Sequence, residues 1–235
     1  VDEDGNGSRI GRTLTAPAPD DPRPARFAFV SCQSLPEGAF NAYRRMIFED
    51  EQAAPDERIG FVLHLGDFIY EVIQTPEQVA ENGKRYDRTI TFPVQFKDGR
   101  PVAGNRFTAA NSLDDYRALY NAYLLDPDLQ DARARWPFVA IWDNHEFSWL
   151  AWQSIMAFPG EGQVPGQQLK VAANQAWWEF QPMRVTPPGK PLDRFDAPAV
   201  ADTPVTEFDE HGLMRRRIAT RATMVSTPRA GRRCS

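Results

Sequence analysis

Ile59-Gly60-Phe61-Val62-Leu63-His64-Leu65-Gly66-Asp67-Phe68-Ile69-Tyr70 is the stretch that decides the fold. Ile59–His64 is a short apolar run with Gly60 near its start and Gly66 just past its end, the pattern of a buried strand. The apolar run stops at a glycine that permits a tight turn, and Asp67 lands at the strand's carboxyl end. Two other stretches are built the same way. Arg26–Val30 runs into Ser31-Cys32-Gln33, and Pro137–Trp142 runs into Asp143-Asn144-His145-Glu146. A parallel sheet delivers successive strand ends to one edge, where open α/β sheets place their sites. A thiol, a carboxylate, a phenol, an amide and an imidazole are thereby expected at one edge.

Helical patterns separate the strands. Residues 37–50 put Phe40, Tyr43 and Ile47 on one face. Ser112-Leu113-Asp114-Asp115 reads as a capping box with Asp115 in the reciprocal role. The helix it opens lines up Leu113, Tyr116, Leu119, Tyr120, Tyr123 and Leu124, and Pro127 marks its end. Gln167–Phe180 turns Leu169, Ala172, Ala173, Ala176, Trp177 and Phe180 inward. Residues 74–111 show no clear periodicity and carry Gly83, Gly99, Pro101 and Gly104, which predicts a long loop, either functional or disordered. The alternation predicts an α/β architecture with a mostly parallel sheet.

The chain of 235 residues is 42% hydrophobic and 25% charged, enough for a sizeable core. A net charge of −5 argues against nucleic acid as the main partner, and no nucleic-acid-binding module is expected. Two cysteines, Cys32 and Cys234, are too few for a disulfide framework. No apolar stretch reaches membrane-spanning length. The chain opens on Val1 without a signal-peptide pattern, so a processed or partial chain is expected. Residues 1–25 read as a linker or the remnant of a preceding β-domain. Residues 26–190 read as the main domain, and residues 191–235 as a loop and an Arg-rich, poorly ordered tail. Oligomeric state is not legible.

Each strand-end cluster has two readings. Asp67 is either a bridging metal ligand or a cap for its own turn, and Tyr70 is either a hard oxygen donor or a packed ring. Cys32 is a buried small hydrophobe, a nucleophile needing a nearby His, or a metal-bound thiolate. Asn144 and His145 offer a neutral oxygen ligand and an acid or charge stabiliser, against a polar turn capping the next segment. His64, inside an apolar strand, is expected to be a satisfied core histidine. His211 is expected at the surface. The pairs Trp149/Trp152 and Trp177/Trp178 are expected to pack.

Taken as a set, Arg26-Phe27-Ala28-Phe29-Val30-Ser31-Cys32-Gln33, Leu63-His64-Leu65-Gly66-Asp67-Phe68-Ile69-Tyr70-Glu71 and Ile141-Trp142-Asp143-Asn144-His145-Glu146 resemble the alkaline phosphatase D (PhoD-like) family of metallophosphoesterases. Leu113-Asp114-Asp115-Tyr116-Arg117 and Gly11-Arg12-Thr13 add to the resemblance, which spans roughly residues 8–185. It implies the N-terminal half of a four-layer α/β/β/α sandwich that hydrolyses phosphate esters, monoesters or diesters, with ferric iron and calcium. It implies Cys32, Asp67 and Tyr70 as iron ligands, Asp67 and Asn144 toward calcium, and His145 beside the phosphate. It also implies an extracytoplasmic or secreted location. Family members draw further Asp and His ligands from a second half. Past Pro188 this chain offers His211 as its one histidine and no acid beyond Glu210. A catalytically incomplete fragment is therefore the alternative expectation.

Overall fold

A computed structural model describes residues 7–15, 17–83, 94–150, 154–181 and 195–203, with Glu3 and Gly5. Three strands, β1 (Phe27–Val30), β2 (Phe61–His64) and β6 (Phe138–Ala140), form a parallel sheet in the order β1-β2-β6. Val30, His64 and Ala140 stand in register at their carboxyl ends, so the three predicted clusters leave the sheet side by side. The parallel order follows from the helical crossovers that the sequence places between apolar runs.

Helix α1 (Asn41–Gln52) follows β1. It starts later than the expected residue 37, because a separate 3-10 turn at Leu35–Glu37 ends at Gly38, whose φ is 153°. The supposed long loop contains structure. Strands β3 (Val72–Ile73), β4 (Arg100–Val102) and β5 (Phe107–Ala109) make an antiparallel sheet, ordered β3-β5-β4. Helix α2 (Pro76–Asn82) opens on a complete Thr75/Gln78 capping box. Helix α3 (Leu113–Tyr123) is capped by Ser112, which accepts from the Asp115 N–H at 3.2 Å. Asp115 does not reciprocate as predicted. Its buried carboxylate accepts instead from the N–H groups of Lys97, Asp98 and Asn111, pinning the preceding segment. Pro127 does not end α3 but opens α4 (Pro127–Arg135), where its missing N–H costs nothing. A β7/β8 ribbon (Ile155–Met156, Val164–Pro165) leads into α5, which spans Gln167–Phe180 as predicted.

One face of the parallel sheet is covered. Val62, Phe138 and Ala140 join a core with Tyr43 of α1, Leu119, Tyr120 and Tyr123 of α3, Leu129 and Ala132 of α4, and Ala173, Ala176 and Trp177 of α5. Trp177 is core, as expected, and meets Trp142 edge-on. His64 is fully buried against the Phe68 ring, but it is not the satisfied histidine anticipated. Neither ring nitrogen has a hydrogen-bond partner, and burial, helped by the charge of Arg133, pushes its pKa down to about 4. The neutral imidazole is thus carried as part of the apolar face.

The opposite face is open among the described residues. Phe27, Phe29, Leu65, Val139 and Ile141 are 41–70% exposed. The sequence reads these strands as buried on both sides, which is how parallel strands normally sit. Here only half of that burial is realised by the described chain. Trp152, His211, Cys234 and the Arg-rich tail lie outside the described residues.

Candidate active site at the sheet edge

The site is assembled by turns at the ends of β1, β2 and β6. Gly66 has φ 102°, and a Cβ there would lie 2.4 Å from the Cβ of Asp143. Only glycine lets the β2 turn and the β6 turn come this close. Asp67 and Cys32 follow with φ of 53° and 57°, left-handed conformations that cost energy in non-glycine residues. The β1 and β2 turns are linked through their backbones: Cys32 N–H donates to Gly66 O at 3.2 Å, and Gln33 N–H to Asp67 O at 3.1 Å. Gln33 is buried and ties the turns together a second time. Its amide donates to Phe68 O and accepts from the Tyr43 hydroxyl.

Asp67 is not the cap of its own turn. Its Oδ1 accepts from the His145 backbone N–H at 3.2 Å, and its Oδ2 accepts from the Cys32 thiol at 3.4 Å. The Tyr70 hydroxyl also interacts with Cys32, and burial, with the charges of Asp67 and Cys32 behind it, holds the phenol above the ordinary tyrosine range. Cys32 is exposed rather than a buried hydrophobe. The backbone N–H of Tyr70 is anchored on the Tyr123 hydroxyl at 3.0 Å. Carboxylate, thiol and phenol therefore meet at one point, as the strand-end reading requires.

The third cluster forms a 3-10 turn, Asn144–Glu146, capped by Asp143. The capping alternative is correct for Asp143, which accepts from Asn144 N–H. It does not consume Asn144, whose side-chain amide donates to Trp149 O at 2.6 Å. That bond commits the nitrogen to the Trp149 carbonyl and leaves the amide oxygen as the side chain's acceptor. Asn144 sits one residue from the His145 N–H that binds Asp67.

Glu146 was not predicted to matter, yet it is the keystone. Fully buried, it accepts from Asp143 N–H at 2.7 Å, from Asp67 N–H at 3.0 Å and from Phe68 N–H. One carboxylate thus staples the β2 and β6 turns. Burial pushes its pKa up to about 8, against the pull of those backbone donors. The Asp143–Glu146 spacing of a capping box is the sequence signal that points to it.

Glu71 was also missed as a site residue. Its Oε2 lies 2.7 Å from His145 Nδ1. The His145 ring stacks on Tyr70 with centroids 4.1 Å apart, and Trp149 lies 6.1 Å away on a tilted plane. Among the described residues no three His, Cys, Asp or Glu side chains gather into one metal-sized group. The convergent set draws on tyrosine instead, joining Cys32, Asp67 and Tyr70, with Asn144 at its margin. Thiol, carboxylate and phenol are donors that bind a metal in their deprotonated forms. Such a set suits a cation.

These features define a mixed α/β protein with a polar, cation-suited centre at the carboxyl edge of a parallel sheet. The chain belongs to the PhoD-like phosphatase family, whose model matches residues 27–197. It is 32% identical over 182 residues to alkaline phosphatase D of Bacillus subtilis (strain 168), covering 76% of this chain and 26% of that protein. A solved structure described as that of PhoD aligns with TM-score 0.50 and 29% identity, over 79% of this chain and 31% of its own. The chain therefore spans about a quarter to a third of the length of these relatives. Among the described residues no helix is long and apolar enough to cross a membrane.

Proposed function

We propose that this sheet edge is one half of a metal-dependent phosphoesterase centre, acting on phosphate monoesters or diesters in an extracytoplasmic setting. The observation that carries the reading is the meeting of Cys32, Asp67 and Tyr70, with the His145 N–H seated on the Asp67 carboxylate. In this reading Cys32, Asp67 and Tyr70 would hold ferric iron, and Asp67 and Asn144 would hold calcium. Bound there, the ions would polarise a phosphoryl oxygen and lower the pKa of an attacking water. The protein's own part is positional. Glu146 fixes the two turns, Gly66 lets them touch, and His145 stands ready to protonate the leaving oxygen or stabilise its charge. Membership in a phosphatase family supports the choice of phosphate esters as substrate.

A second reading, a catalytically incomplete piece, is favoured by the open apolar face of the parallel sheet. A chromogenic phosphate monoester and diester, assayed with the chain in added iron and calcium, separate the two. The hydrolytic reading expects turnover that a chelator removes and that returns with metal. No turnover of either ester under these conditions would favour the incomplete piece.

A further inference from the structure

The Glu71–His145 contact goes beyond the ligand set. We propose that Glu71 is the positioning residue for His145, holding one proton on Nδ1 so that Nε2 is the nitrogen that takes up the second, transferable proton and presents it to the leaving oxygen. The proposal rests on the hydrolytic reading only for its consequence in catalysis.

Glu71 leaves Tyr70 and enters β3, and its own carbonyl accepts from Ala110 N–H at 2.8 Å. The antiparallel sheet thereby fixes its main chain. Its side chain is 1% exposed and that of His145 is 11% exposed. A buried carboxylate must be hydrogen-bonded or it is costly. Oε1 of Glu71 has no partner, so the bond from Oε2 to His145 Nδ1 is what compensates its burial. A carboxylate oxygen can only accept, so at 2.7 Å the nitrogen facing it carries the proton. The hydrogen bond made by one ring nitrogen sets the state of the other. Tyr70 stacked at 4.1 Å fixes the plane of the same ring. Glu71 therefore imposes the tautomer from outside the ligand set, as a carboxylate does for a catalytic imidazole in hydrolytic triads, while Tyr70 within the set fixes the ring plane.

The test is ring-nitrogen NMR on the 15N-labelled full chain at pH 8, with His145 assigned by the signals lost in His145→Ala. The wild type is expected to show the proton on Nδ1 of His145. Glu71→Leu should move it to Nε2, the form favoured by a free imidazole. Glu71→Gln, which keeps an acceptor oxygen, should retain Nδ1–H. In turnover assays Glu71→Leu should lower kcat by about 10–100-fold with KM little changed, the scale for losing a supporting hydrogen bond around a metal site. A wild-type His145 protonated on Nε2 alone overturns the proposal whatever the variants do. So does a folded Glu71→Leu chain whose tautomer is unchanged. The tautomer is read without metal or substrate, so it fails separately from the hydrolytic reading.

Discussion

Asp67→Asn is expected to lower phosphate-ester turnover by more than about a hundredfold while leaving the chain folded. Loss of a partner merely surrounding a metal site costs about 10–100-fold. Asp67 is placed to do more, since both its oxygens face the centre, one toward Cys32 and one toward the His145 backbone. Asparagine keeps an oxygen for the His145 N–H and is at ease at the φ of 53° found at this position. The substitution removes the charge and turns the acceptor facing Cys32 into a donor, with the backbone left in place. Bound metal, measured on the purified variant, should fall together with turnover, and the circular dichroism spectrum should match that of the parent. Turnover near the parent level would remove Asp67 from the centre.

Glu146→Ala is expected to destabilise the chain by about 4 kcal/mol. The substitution orphans the N–H groups of Asp67, Phe68 and Asp143, all of which the Glu146 carboxylate satisfies. A buried donor left unmade costs about 1–3 kcal/mol, and water entering the vacated space recovers part of the sum. For a chain of this size the midpoint of thermal unfolding should fall by roughly 10 °C. Glu146→Gln retains one acceptor and should fall between. A loss under about 1 kcal/mol in Glu146→Ala would mean that the two turns are held together by something else.

The parallel sheet was legible because each strand is a continuous apolar run ending in polar residues, and the residue at each end is fixed by chain direction. Cys32, Asp67 and Tyr70 converge for that reason alone. Helix α5 was legible through its spacing, down to its ends. The antiparallel sheet, with β4 and β5 inside residues 74–111 and β3 just before them, was not, because strands of two or three residues are too short to show alternation. Helix α2 did carry a signal there, the Thr75–Gln78 capping box with Pro76 at its first helical position. Glu71 and Glu146 are assigned no role by the sequence. Their decisive partners lie 74 to 79 residues away, where local pattern is silent, and only the capping-box spacing of Asp143 and Glu146 leaves a trace. Asp115 failed in the same way, since its long-range backbone donors outcompete the local reciprocal cap. The open sheet face shows the converse. Local pattern reported the burial these strands are built for, and the described residues supply half of it.

As proposed, Cys32, Asp67 and Tyr70 would hold one ferric ion at the strand ends. The visible spectrum of the purified chain after iron loading tests it most directly. The account predicts an absorption band from the Tyr70 phenolate on ferric iron, lost in Tyr70→Phe. A chain that stays colourless and binds no iron would contradict it, as would a band that survives in Tyr70→Phe.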